Sequence, residues 1–177
     1  MKVLDRGSRF WPVSVCVATF LIGSSVAYSI SSNFYGPDSE RKGVMLILRG
    51  IANESHPRGQ LDDRAALEYA RRLGYRGEVL NVAGNGSRQI TMTLDRVKAD
   101  REVTAIYGFS AGGYNTRKIW TRLGKQEKER IRKIVVLGAP GVSEGDFPDA
   151  QEVIVKQDPP AGHLAGPKAL LEELERS

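Results

Sequence analysis

Cysteine is almost missing from this chain. Among 177 residues Cys16 stands alone, inside an apolar N-terminal stretch. The rest of the chain therefore has no thiol, no disulfide and no Cys-based metal site. Histidine is nearly as scarce, with only His56 and His163, so a His-rich metal centre is excluded and no cofactor is expected. A strong excess of one charge is also missing. Removing Lys2, Arg6, Arg9 and Asp5 from totals of 26 basic and 21 acidic residues leaves 23 against 20. These charges are scattered, with no basic stripe among aromatics, so nucleic-acid binding lacks support. Long apolar runs are absent beyond the N-terminus, and no insertion is long enough to form a lid.

The N-terminal segment stands apart. Residues 10–37 carry no charge and follow a basic front of Lys2, Arg6 and Arg9. The most apolar part runs over residues 13–22, short of the roughly 20 residues of a spanning helix. Ser25-Val26-Ala27 then has the small-residue spacing of a signal-peptidase site. Residues 1–30 are thus expected to be a signal peptide, or a retained anchor if residues 11–30 act as a single span. Either reading makes the protein exported (periplasmic or secreted) or membrane-attached. Residues 31–42 read as a polar linker, and residues 43–177 as one domain, long enough to bury a core.

Within that domain strands and helices alternate. Val44-Met45-Leu46-Ile47-Leu48 is a continuous apolar run, the pattern of a central strand buried on both faces. Further strands are expected at residues 78–83, 103–109, 134–137 and 153–155. Between them lie a helix capped by Asp62 or Asp63 and ending at Leu73, another opening at Ser87, and a third running to about Leu123. Pro167 starts the last, with Leu170, Leu171 and Leu174 inward. The charged stretch 125–133 is a solvated turn or short helix. This order predicts an α/β three-layer sandwich with about five mainly parallel strands and helices on both faces. Right-handed crossovers place the loops after the strands along one edge, where ligands bind in such sheets.

One stretch, from Val103 to Tyr114, contains Gly108-Phe109-Ser110-Ala111-Gly112, a nucleophile-elbow pattern between an apolar strand and a helix. A serine attacks only if its hydroxyl stands clear of the backbone beside a base. The tight turn that exposes it crowds the positions two before and two after, which favours glycine at both. The same turn aims the Ala111 N–H towards a developing oxyanion. Asp158 and His163 leave the last strand at the same edge, in the order nucleophile, acid, base. His163 would take the serine proton, and Asp158 would hold the imidazole. Asp146 and Asp149, after the preceding strand, are reserve acids.

These residues resemble the cutinase-like branch of the α/β-hydrolase serine esterases, small enzymes with a five-stranded sheet and no lid. The resemblance rests on residues 48–54, on the elbow, on Val135-Val136-Leu137-Gly138-Ala139-Pro140, and on Asp158 through His163-Leu164-Ala165-Gly166-Pro167. It implies a minimal α/β-hydrolase with the flavodoxin-like layout. Ser110 would be nucleophile, His163 base, Asp158 acid, and the backbone N–H groups of Ala111 and Ile51 the oxyanion donors. The chain departs from the family in three ways. Ile51 stands where a hydroxyl residue is usual, the family's disulfides are missing, and acid and base are only five residues apart.

The expected partner is a small-molecule or polymeric ester, cleaved through an acyl-enzyme. Two alternatives stand beside it: a non-catalytic binding domain of the same fold, and a flavodoxin-like phosphate or nucleotide binder using the turn at residues 84–87. That turn lacks the full G-x-G-x-x-G and a P-loop lysine, so a plain strand-to-helix turn competes with it. His56 reads as a surface residue near the site mouth and Trp120 as core.

Overall fold

A computed structural model of the chain describes residues 30–31, 42–51, 57–80, 82 and 86–176. Its elements are β1 (Ile30–Ser31), β2 (Val44–Leu48), α1 (Pro57–Arg72), β3 (Arg76–Leu80), α2 (Ser87–Ala99), β4 (Val103–Phe109), α3 (Ala111–Trp120), α4 (Lys125–Arg130), β5 (Lys133–Leu137), β6 (Glu152–Lys156) and α5 (Gly166–Arg176). The strands form one sheet in the order β1-β3-β2-β4-β5-β6. Five are parallel, and the two-residue β1 adds antiparallel to β3 at one edge.

Alternation along the strands divides the core into two layers, since successive side chains point to opposite faces. On one face Val44, Leu46, Leu48 and Ile106 pack with Ile90 and Val97 of α2 and with Ile119 and Trp120 of α3. On the other, Met45, Ile47, Ala105 and Tyr107 meet Ala66 and Ala70 of α1 and Leu170 of α5. Every residue of β2, β4 and β5 is buried. The result is the expected three-layer α/β sandwich. Trp120 is 1% exposed, with its Nε1 donating to the Pro148 carbonyl at 3.2 Å.

Two boundaries differ from the sequence expectation. The strand placed at residues 78–83 occupies Arg76–Leu80, because Val44 and Leu48 of β2 pair in register with its two ends. Gly77 belongs to the strand for a packing reason: a Cβ there would lie 2.7 Å from the Leu67 side chain of α1. The first helix begins at Pro57, so Asp62 and Asp63 lie inside it and cap nothing. Proline suits a first helical position, where no N–H is needed.

Strand order reverses between β2 and β4, which are neighbours although α1, β3 and α2 separate them in the chain. A crevice opens at such a switch point, outside the carboxyl ends of the strands. Gly50 follows β2 and Ser110 follows β4, so both stand at it. No helix among the described residues is long and apolar enough to cross a membrane. Residues 1–29, Cys16 among them, and His56, Gly84 and Asn85 lie outside the described residues.

Candidate active site

Ser110 sits between β4 and α3 with φ 56° and ψ −120°, a conformation costly for a residue with a side chain. Its N–H donates to the Leu137 carbonyl at 2.8 Å, and its carbonyl accepts from the Gly113 N–H at 2.9 Å. The flanking glycines are required by contact. A Cβ at Gly108 would lie 2.6 Å from the Gly112 carbonyl oxygen, and one at Gly112 would lie 2.2 Å from that of Leu48. Both approaches are shorter than any carbon side chain tolerates, so the elbow closes only with glycine on each side.

The loop after β2 reaches the serine from across the crevice. A Cβ at Gly50 would meet the Ser110 Cβ at 3.1 Å and its Oγ at 3.6 Å. The backbone leading to Ile51 therefore passes beside the hydroxyl, while the Ile51 side chain is 67% exposed. Behind this loop, Arg49 is buried and pairs with Asp63 of α1, its Nε 2.9 Å from each carboxylate oxygen. Gln89, fully buried on α2, donates through Nε2 to the carbonyls of Arg49 (3.2 Å) and Val82 (2.9 Å) and accepts from Asn115 at 2.8 Å.

His163 and Asp158 meet. The His163 Nδ1 is 2.7 Å from Asp158 Oδ1, five residues being enough because the chain folds back on itself. The Gly162 N–H donates to the Pro159 carbonyl at 2.8 Å, and Gly162 itself adopts φ 97° before a 3-10 turn over His163–Ala165. The Phe109 ring stacks on the imidazole, with centroids 4.9 Å apart and planes 22° from parallel. Asp146 is occupied elsewhere: it accepts from the Ser143 N–H at 2.8 Å in a capping box. Asp149 is exposed, in the left-handed region at φ 69°.

Ser110 and His163 line one cavity of about 290 Å³, together with Gly50, Ile51 and Phe109. No direct hydrogen bond joins the two among the described residues. Such contacts are often long without substrate and tighten on binding.

Three contributors escaped the sequence reading. Gly138, at φ 56°, holds the loop after β5 against Asp158 and His163: a Cβ there would lie 2.7 Å from Asp158 Oδ1 and 2.8 Å from the imidazole. Its signals were its place directly after a buried strand, at the edge where ligands bind, and within the stretch from Val135 to Pro140 that carries the resemblance. Gln89 was given no role by the sequence reading. Asp62, which looked like a cap, lines the cavity. Burial, then the neighbouring Asp63 charge, push its carboxyl up to about 6, against an opposing pull from His163.

No protein-family model matches the chain, and no curated protein matches it. Among solved structures it is similar to an α/β serine hydrolase without a lid from Xanthomonas campestris, with a TM-score of 0.52 and 19% identity. The match covers 80% of this chain and 70% of that one.

Proposed function

From the α/β-hydrolase-like fold and the arrangement around Ser110, we propose that the protein is a serine hydrolase of the cutinase-like kind, cleaving a carboxylic ester without a cofactor. The observation that carries this reading is a serine on a strained elbow, sharing a cavity with a histidine whose Nδ1 is 2.7 Å from a carboxylate. That pairing fixes the imidazole tautomer and leaves Nε2 to accept a proton.

Ser110 Oγ attacks the acyl carbon while its proton passes to His163 Nε2. The carbonyl electron pair collects on the oxygen, facing the N–H groups of Ala111 and Ile51. Collapse expels the alcohol, which leaves with the proton from Nε2. Water then attacks the acyl-enzyme, again giving a proton to Nε2, and the acid departs as Ser110 regains its hydrogen. Asp158 stabilises the imidazolium at both stages without itself becoming protonated.

Labelling with an active-site fluorophosphonate tests this reading. Wild type should be labelled and Ser110→Ala should not; equal labelling of the two, or none of wild type, would refute it.

A further inference from the structure

Arg49 follows β2 directly and is gripped from both faces of the sheet. Alternation along the strand sends Val44, Leu46 and Leu48 to the α2 face, so the Arg49 side chain turns to the α1 face. There it meets Asp63, 14 residues further along the chain. Its Nε lies 2.9 Å from each carboxylate oxygen, and its Nη2 donates to Oδ2 as well. The two side chains are only 5% and 12% exposed. From the opposite face, Gln89 of α2 donates to the Arg49 carbonyl at 3.2 Å. The next residue is Gly50, where an added Cβ would touch the Ser110 Cβ at 3.1 Å, and Ile51 follows it.

A buried ion pair is a poor source of stability. Desolvation of the two charges offsets most of their attraction, and an apolar pair of similar volume often does as well. Leucine at position 63 would suit the α1 face, where Ala66 and Ala70 pack. What the ion pair supplies, and an apolar contact lacks, is direction. A guanidinium fork on a carboxylate is planar, so it sets an angle as well as a distance. The pair also closes the loop between β2 and α1 at its base, since Gly50 and Ile51 lie between the two partners. Both partners line the cavity beside Ser110, but their charges answer each other.

We propose that Arg49 and Asp63 are positioning residues, whose ion pair clasps the base of this loop and holds the Ile51 N–H at the oxyanion side of Ser110. The proposal rests on Ser110 being the nucleophile and Ile51 an oxyanion donor, and it adds no chemical step. Neither side chain acts on the acyl group; both act through the backbone between them. A displacement of about 1 Å in such a group lowers the rate on the order of 100-fold, the scale on which loss of one oxyanion donor is felt.

The test is the double variant Arg49→Met with Asp63→Leu, which removes both charges and leaves no buried ion unpaired. On p-nitrophenyl butyrate its kcat should fall about 100-fold while KM changes only a few-fold. A double variant with unaltered kcat overturns the proposal, whether or not its melting temperature has changed. A raised KM at unaltered kcat overturns it in favour of a direct substrate contact. Arg49→Lys keeps the charge pair but loses the fork, and it decides the matter if the double variant does not fold. Its kcat should fall about 10-fold or more, and a lysine variant with wild-type kcat overturns the proposal. If wild type cleaves no ester and the fluorophosphonate fails to label it, the hydrolase reading has failed instead. In that event ¹⁵N relaxation still tests the clasp, on wild type and the double variant, or Arg49→Lys where the double does not fold. The Ile51 amide should fall from a rigid order parameter near about 0.85 to below about 0.6; equal values in the two proteins overturn the proposal.

Discussion

Gly138 and His163 are in mutual contact so close that no side chain fits between them: a Cβ at Gly138 would lie 2.8 Å from the imidazole Nδ1 and Cε1. The backbone at Gly138 is also left-handed, and its N–H donates to the Lys156 carbonyl at 2.9 Å, tying the loop after β5 to the end of β6. Gly138→Ala should therefore push the Asp158–His163 pair out of line as well as strain the turn, the strain alone costing about 1–2 kcal/mol. Ester hydrolysis should drop by at least about 100-fold, a displacement of the order that misplaced catalytic groups incur, while circular dichroism keeps the α/β signature. An active Gly138→Ala enzyme would show that the pair tolerates displacement.

The identity of the acid makes a second prediction. Asp158 reaches His163, whereas Asp146 is held by Ser143. Asp158→Asn should preserve folding and lower kcat by about 10⁴, by analogy with the serine-protease aspartate. Asp146→Asn and Asp149→Asn should stay within a few-fold of wild type. Steady-state kinetics on the three variants decide it, and a crippled Asp146→Asn beside a near-normal Asp158→Asn would reverse the assignment.

Gln89 should matter for rate without touching substrate. Its amide fixes the Arg49 carbonyl one residue before the loop that passes Ser110. Gln89→Leu leaves the buried Arg49 carbonyl and the half-buried Val82 carbonyl without that donor, a loss of roughly 2–6 kcal/mol from two groups at 1–3 each. The melting temperature should fall, and kcat should fall more than KM changes because the backbone N–H groups lose their aim. A variant with lower stability but unaltered kcat would reduce Gln89 to a structural role.

Asp62 predicts a pH dependence of stability. Its carboxyl is raised from 3.8 to about 6 in the folded protein, so the folded state holds this proton more tightly than the unfolded chain. The stability it contributes is full below about pH 4 and is lost as pH rises through about 6. Asp62→Asn removes that dependence. Its melting temperature relative to wild type should climb between pH 4 and pH 6 and remain higher at pH 8. A difference that is flat across this range would contradict the shift.

Export is the fifth expectation, motivated by the basic front, the short apolar core and Ser25-Val26-Ala27. N-terminal sequencing of protein from its native host should begin just after Ala27. An intact chain in membranes would favour an anchor, and an intact Met1 in the soluble cytoplasm would end the export reading.

Much of the fold was legible because it depends on short-range pattern. Continuous runs such as Val44 to Leu48 and Ile134 to Leu137 read as strands buried on both faces, and Gly108 and Gly112 around Ser110 mark a tight turn, although the atom that crowds Gly112 is the Leu48 carbonyl oxygen of β2. Tertiary structure decided the rest. The start of β3 is set by its register with β2, which no local propensity encodes. Whether Asp158 or Asp146 meets His163 depends on how the Pro159–Gly162 turn folds back and on room left by Gly138, over 20 residues earlier. Asp62 and Asp63 are adjacent and chemically identical, and the sequence treats both as helix caps. Only the packing of α1 on the sheet turns one towards Arg49 and the other into the cavity. Local pattern determines which segments form elements; the contacts of single polar side chains depend on where distant elements come to rest.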